Sequence, residues 1–339
     1  MKNLKNRNIL KQKKQGVTKM KTLNVLKGLI FVVLLLNLAF PQTQVFTDNE
    51  TLIKIGQEYA KNYLSPLTTG LGTLMNTGYI GAYGEDVQKK GIFTPRFYIG
   101  VKGCGTLMNS IDDNFNFEFE TNAQINGAKV PIKWVVKDAP RIFGNSSPAV
   151  AYGKFEIMGK TFDTSVTLLG GYSSMPVLPY AIPRIGLGTL AGTDIMLSGL
   201  PGINIGEFGK VNVYGIAIRH NLNAYLKLPL GIAFQGGFQK LTLTDKNSSN
   251  VFDATSSFIN LQVSKRISII SLYAGIQYET YNIDVNLKYN DYSVQFSQQN
   301  LNPMRGVFGL TLNLGPFKLN GDINYGERVT FTGGLGVAF

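Results

Sequence analysis

Most of residues 91–339 alternate between apolar and polar side chains, and this period of two restricts the possible folds more than any other feature. In the segment TPRFYIGVK, for example, Phe97, Ile99 and Val101 alternate with an arginine, a tyrosine and a lysine. Similar segments of about ten residues recur to the end of the chain. Successive side chains of a β-strand point to opposite faces of the sheet, so this region is predicted to be all-β.

The two faces of these segments differ in chemistry. One is rich in Phe, Tyr and Leu, and the other carries Gly, Asn, Gln, Ser, Thr and charges of both signs. A soluble β-sandwich or a secreted jelly roll also has two-faced strands. The aromatic apolar face and the length of the alternating region favour a membrane-spanning sheet. Because lipid offers no hydrogen-bond partners to the backbone, such a sheet must close into a barrel.

The fold class predicted is an antiparallel transmembrane β-barrel of about 14 strands, with 12 as the close alternative, since bacterial barrels have even strand numbers. Residues 281–298 change phase and are predicted to form a hairpin that projects above the membrane. Residues 173–204 contain four prolines. They are predicted to be a long external loop flanking one hairpin, and the alternative is a loop folded inward as a constriction.

The chain ends in VTFTGGLGVAF at residues 329–339. The strand is predicted to close the barrel against the first strand near residues 94–102. Its ending resembles the signal that barrel assembly machinery reads in outer-membrane proteins, carried here by Phe331, Leu335, Val337 and Phe339.

The beginning of the chain predicts export. The apolar run LIFVVLLLNLAF at 29–40 follows several lysines and is shorter than the roughly 20 residues that a spanning helix needs. It is therefore predicted to be the core of a signal peptide within a leader of residues 1–42, with cleavage near 40–44 and a start at Met1 or Met20. A membrane anchor is the alternative. Export of a barrel predicts location in the outer membrane of a Gram-negative bacterium.

The net charge of +12 does not indicate nucleic-acid binding. Nine of the 33 basic residues lie in residues 1–41, so 24 basic residues face 21 acidic ones in the rest of the chain. Cys104 and His220 are the single cysteine and the single histidine. One of each gives neither a disulfide nor a Cys- or His-rich metal site. No cofactor, metal site or catalytic residue is therefore predicted, and the protein is not expected to be an enzyme.

Residues 43–90 are predicted to lie outside the main sheet, which occupies residues 91–339. Within them, residues 47–64 have helical periodicity and a capping-box spacing of Thr47 and Glu50, and the helix is predicted to end at Ser65-Pro66. A glycine-rich stretch follows. This segment is a candidate plug for the lumen of the barrel.

The polar phase of the strands predicts a lumen lined by charges of both signs. Mixed signs favour pairing between neighbouring strands over ion selectivity. The charged residues predicted to face the lumen are Arg96, Lys102, Glu118, Glu120, Lys154, Glu156, Asp163, Lys318 and Asp322.

The segments SPLTTGLGTLMNTG at 65–78, IPRIGLGTLAGTDIMLSGLPGIN at 182–204 and GKVNVYGIAIRHNL at 209–222 resemble an outer-membrane barrel family akin to the long-chain fatty-acid transporters. The resemblance implies a plugged lumen and passage of a hydrophobic substrate through a lateral opening.

Two functions follow as hypotheses. The first is a channel or transporter for small, hydrophobic molecules. The alternative is a structural or surface-interaction barrel with a sealed lumen and no transport role. The partners expected in either case are outer-membrane lipid and the assembly machinery, with a small hydrophobic ligand in the first.

Overall fold

The computed structural model describes residues 49–81, 95–108, 113–125, 128–172, 175–204, 209–226, 228–245, 249–289 and 292–339. The leader and the predicted signal peptide at residues 1–42 lie outside them. None of the helices in these ranges is long and apolar enough to cross a bilayer. The elements are α1 (Asn49–Met75), β1 (Arg96–Leu107), β2 (Asn114–Ile125), β3 (Ala128–Pro140), β4 (Val150–Ile157), β5 (Lys160–Thr167), β6 (Val177–Leu190), β7 (Thr193–Asn204), β8 (Lys210–Asn221), β9 (Gly231–Thr244), β10 (Asn250–Ile267), β11 (Ile270–Tyr289), β12 (Tyr292–Gln299), β13 (Met304–Leu314), β14 (Phe317–Tyr325) and β15 (Thr330–Ala338).

Ten of these strands form a closed antiparallel barrel. The order runs β10-β9-β8-β7-β6-β1-β15-β14-β13-β11, and the pairing of β10 with β11 closes it. The prediction of 14 strands, and of 12 as the alternative, is therefore wrong. Strands β2 to β5, which lie between β1 and β6 in the chain, have the same alternation but form a separate four-stranded sheet. Strand β12 pairs only with the C-terminal part of β11.

The barrel has its apolar side chains outside and its polar side chains inside, which is the reverse of a soluble protein. Its outward side chains are apolar and exposed, as in Ile99 (55% exposed), Ile259 (65%) and Phe308 (63%). Its inward side chains are polar and buried, as in Thr106 and Thr311, both 0% exposed. A soluble sandwich would bury the apolar face, so the arrangement is that of a transmembrane β-barrel.

The four-stranded sheet packs on α1. Trp134 is fully buried on its inner face and donates a hydrogen bond from Nε1 to Thr121 Oγ1 at 2.8 Å. Tyr59 of α1 lies 5.3 Å from the ring of Phe115, measured between ring centroids. Tyr63 of α1 is also buried in this core, and its burial raises its pKa to about 12. Sheet and helix thus share one hydrophobic core beyond the barrel.

Helix α1 does not end at Ser65-Pro66, as the sequence predicted, but continues through Pro66 to Met75. Proline has no N–H to donate to the carbonyl four residues earlier, here that of Asn62. Arg141 supplies the missing donor, with Nη1 2.5 Å from the Asn62 carbonyl oxygen. A tertiary contact therefore compensates the local defect.

Residues 173–204 are not a long loop either, because those described form the hairpin of β6 and β7. The β6–β7 ladder runs from Arg184 to Leu187, with one further pair at Leu190. Pro179 and Pro183 of β6 come before the first residue of this ladder. No N–H of β6 is needed for pairing with β7 at these two positions. Prolines are tolerated at such positions of a strand.

The two ends of the barrel differ. At the turn end, which also holds the start of β1 and the end of β15, Ser268–Ile269 and Gly315–Pro316 join consecutive strands. At the loop end lie the four-stranded sheet and the hairpin of β11 and β12. Strand β11 pairs with β13 only as far as Tyr278 and with β12 from Asn282 onward. Residues 281–298 thus form a hairpin, as predicted, in which β12 lies outside the ten-stranded barrel. Its projection above the membrane stays a prediction.

Deleting Phe339 should impair barrel assembly. Its N–H donates to the Phe97 carbonyl at 3.0 Å and its carbonyl accepts from the Phe97 N–H at 2.8 Å, so the pair ends the seam between β15 and β1. Heat-modifiable migration of membrane fractions on detergent gels would measure the folded yield. Phe339→Leu keeps both backbone bonds and an apolar side chain and serves as the control. Equal folded yields for the deletion and the wild type would contradict the prediction.

Candidate functional site: a plugged lumen

Three buried ion pairs hold the inward faces of the barrel strands together. Arg219 Nη2 lies 2.8 Å from Asp194 Oδ2, and Lys102 Nζ lies 3.0 Å from Asp322 Oδ2. The third pair joins Arg305 Nη2 to Glu279 Oε1 at 2.7 Å. Buried charges are stable only when they are paired and hydrogen-bonded.

Amide and hydroxyl groups complete these pairs. Asp194 also accepts a hydrogen bond from Asn221 Nδ2 at 3.0 Å. Asp322 accepts from Tyr273 OH at 2.9 Å and from Asn324 Nδ2 at 2.6 Å. The lumen is therefore cross-linked between strands by polar contacts rather than lined by a ring of one charge.

The end of α1 and the residues after it occupy the lumen. This plug segment, residues 73–81, is buried at every position that is not glycine. Tyr79 lies 4.4 Å from Phe258 between ring centroids. Gln277 Nε2 donates to the carbonyl of Asn76 at 2.8 Å, and Asn76 Nδ2 donates to the carbonyl of Thr280 at 3.0 Å. The plug segment thus bonds directly to the barrel wall.

Arginines of the wall satisfy the carbonyl groups that the helix end leaves free. Arg305 Nη2 donates to the Thr73 carbonyl at 2.8 Å, while its Nη1 donates to the Thr77 hydroxyl. Arg184 donates to the carbonyls of Thr77 and Gly78, and its guanidinium lies 4.2 Å from the Tyr79 ring centroid. The last carbonyls of a helix need donors, and cations are favourable there because of the helix dipole.

Two glycines let the chain fit inside the wall. A Cβ on Gly72 would lie 2.4 Å from the ring of Tyr281, and one on Gly81 would lie 2.4 Å from the ring of Tyr273. Gly81 also has a φ of +85°, which favours glycine. Gly72 near the end of α1 and Gly81 after it therefore have no room for a side chain in the lumen. That the whole of residues 43–90 plugs the lumen stays a prediction, and residues 43–48 and 82–90 lie outside the described ranges.

The plug segment threads the barrel from one end to the other. Thr73 lies beside Arg305 at the start of β13, toward the loop end. Gly81 lies beside Arg219 near the end of β8, where its carbonyl is 3.4 Å from Nη1, toward the turn end. Strand β1 then begins at the turn end. Helix α1 consequently lies at the end opposite to the start of the barrel.

The structure divides the residues predicted to face the lumen into two groups. Arg96, Lys102, Lys318 and Asp322 lie on inward positions of barrel strands. The other five lie on the exposed face of the four-stranded sheet, outside the lumen, because that sheet repeats the alternation without belonging to the barrel. These corrected residues are Glu118, Glu120, Lys154, Glu156 and Asp163.

The residues that hold the plug were not among those predicted. Arg184, Arg219 and Arg305 lie on the inward phase of β6, β8 and β13. Each is next to an exposed apolar residue of the outward phase, namely Ile185, Ile218 and Met304. That phase could have identified them as lumen-facing. Their contacts to a segment more than 100 residues away have no signal in a single sequence.

His220 lies outside the lumen. Its Nδ1 is 2.9 Å from Thr193 Oγ1, and its ring stacks on Tyr225 with centroids 5.6 Å apart, near the turn end. These contacts are those of a structural residue at the rim. Within the described ranges, no group of three or more His, Cys, Asp or Glu side chains is placed to hold a metal ion.

The chain belongs to a family of unknown function, DUF6588, whose model matches residues 20–339. A comparison with curated proteins gives no match. The predicted resemblance to long-chain fatty-acid transporters is not shown by these comparisons and stays a prediction.

Similar solved structures are outer-membrane β-barrels. The β-domain of the Bordetella autotransporter BrkA is 10% identical with a TM-score of 0.31, over 71% of this chain and 98% of that one. Ail of Yersinia pestis is 10% identical with a TM-score of 0.24, over 73% and 100%. The Escherichia coli protease OmpT is 10% identical with a TM-score of 0.27, over 73% and 97%.

Arg305→Gln should destabilise the barrel. The change leaves Glu279 buried without its guanidinium partner and frees the Thr73 carbonyl, which should lower the free energy of unfolding by about 3 kcal/mol. The temperature at which heat-modifiable migration is lost would measure the effect. Arg266→Gln is the matched control, because Arg266 is exposed near the β10–β11 turn, where its Nε donates to the carbonyl of Ser268. Equal effects of the two substitutions would contradict the role of the ion pair.

Proposed function

We propose that this protein is an outer-membrane barrel with a sealed lumen, which anchors helix α1 and the four-stranded sheet at the cell surface. The observation that carries the proposal is the plug segment, whose carbonyls are bound by Arg184 and Arg305 inside the barrel. A segment that is hydrogen-bonded to the barrel wall at Thr73 and again at Gly81 blocks diffusion through the lumen.

The lengths of the connections at the two barrel ends support an orientation in which α1 and the four-stranded sheet face the cell surface. Outer-membrane barrels have short periplasmic turns and longer extracellular loops. Here the two-residue turns between barrel strands lie at one end, while the sheet β2–β5 and the hairpin β11–β12 lie at the other. The loop end is therefore assigned to the cell surface and the turn end to the periplasm.

Transport of small hydrophobic molecules is the competing function. It would require the plug segment to leave the lumen, which means breaking its bonds to Arg184, Arg305 and Gln277 together. Each bond exchanged for water costs little, but leaving buried donors unpaired costs far more. The sealed barrel is the state that these contacts stabilise.

Purified wild-type protein in planar bilayers should show no steady ion current. The double substitution Arg184→Gln and Arg305→Gln should produce intermittent openings, because the plug segment then loses the donors for its helix-end carbonyls. The same double change at exposed Arg266 and Lys265 is the control and should stay closed. A steady current through the wild type would overturn the sealed lumen and favour the transporter.

Cysteine labelling of intact cells should test the orientation and the threaded path. The single natural cysteine is buried, and Cys104→Ser removes it from the background. With a membrane-impermeant maleimide, Met158→Cys on the β4–β5 turn and Glu58→Cys on α1 should react in intact cells. Ser268→Cys at the turn end should react only after lysis. If only the Ser268→Cys variant were labelled in intact cells, the orientation would be opposite to the one proposed.

A further inference from the structure

The outward face of β11 changes chemistry along its length. Between Leu272 and Tyr278, where β11 pairs with β13, its outward side chains belong to the exposed apolar belt; Ile276, for example, is 57% exposed. From Thr280 onward the outward side chains are polar. The change marks the upper border of the lipid-facing belt.

Above this border, six polar side chains form a ladder on the outer face of the β11–β12 hairpin. Across the two strands, Asn282 lies opposite Gln299, Asp284 opposite Ser297, and Asn286 opposite Gln295. We call these six residues the polar ladder. All are exposed or half-exposed.

The ladder is internally hydrogen-bonded and nearly neutral. Its single carboxylate, Asp284, accepts from Asn282 Nδ2 at 2.9 Å and from Ser297 Oγ at 2.5 Å. Gln295 Nε2 donates to Asn286 Oδ1 at 3.3 Å. A primary amide has two N–H donors and an acceptor, so these bonds use only part of its capacity. Donors and acceptors therefore remain along the ladder.

The opposite face of the hairpin fixes the ladder in place. Ile283, Val285 and Leu287 of β11, with Val294 of β12, are at most 4% exposed and belong to the core that includes α1. Groups held by packing lose little conformational entropy when they bind a ligand. The ladder is thus a rigid set of amide and hydroxyl groups around one carboxylate, that of Asp284.

We propose that the polar ladder binds the uncharged sugar hydroxyls of glycolipid headgroups in the surrounding leaflet. The ladder faces the same way as the apolar belt below it, so it continues the lipid interface to the height of the headgroups. Amides and hydroxyls exchange hydrogen bonds with sugar hydroxyls, whereas phosphate is recognised chiefly by arginine and lysine. This inference goes beyond the sealed barrel, although the sugar partner follows from the surface orientation proposed above.

The probe is an oligosaccharide released from outer-leaflet glycolipid by removal of its acyl chains and phosphates. Its affinity for the full chain in detergent micelles would be measured by calorimetric titration. Asn286→Ala with Gln295→Ala should weaken binding about tenfold, since two amides that donate to hydroxyls are lost. Thr161→Ala with Ser165→Ala, on the exposed face of the four-stranded sheet, is the matched control and should leave the affinity unchanged.

Three outcomes would overturn the proposal: no binding by the wild type, equal affinity of the wild type and the ladder variant, or complete competition by inorganic phosphate. If the alanine pair gives no heat-modifiable barrel, Asn286→Leu with Gln295→Met keeps the shape and carries the same expectation. The purified protein binds without regard to orientation in cells, so this result is independent of the current and labelling experiments.

Discussion

The bonds between two lumen arginines and the end of α1 are the interaction on which the other parts of the structure depend. A helix that ends inside a barrel leaves carbonyl groups that water cannot reach, and arginines inside a barrel need acceptors. Arg184 and Arg305 meet both needs through the carbonyls of Thr73, Thr77 and Gly78. Because these bonds fix the end of α1, they also fix the helix at the loop end. The four-stranded sheet packs on that helix, so its position follows from the same bonds.

The alternation of side chains predicted the strands but could not say what each apolar face touches. In β1 the apolar phase contains Ile99, which is exposed on the barrel wall, whereas in β3 it contains Ile132 and Trp134, which are buried against α1. A strand that faces lipid and a strand that faces a protein core both carry apolar residues at every second position, so their sequences look alike. For this reason the separate sheet was counted within a barrel of 14 strands, and its outer charges, such as Glu118, were assigned to the lumen.

The path of the plug could be predicted only in part. Its glycines and its position before the first barrel strand indicated a segment that fits a narrow space. The continuation of α1 through Pro66 could not be predicted, because it depends on Arg141, far away in the chain, which binds the carbonyl of Asn62. Local rules give the cost of a proline in a helix, but not the distant donor that compensates it.

The threaded path also restricts how the barrel can form. The lumen of a barrel of about this strand number is filled by side chains, so a helix of 27 residues would not pass through it after closure. The last seam to form must therefore close around a plug already in place. Strands β1 and β15 are the first and last barrel strands, and their ladder ends in the pair of Phe97 and Phe339. Closing this seam would trap the plug segment, which links the terminal aromatic residue to the contents of the lumen.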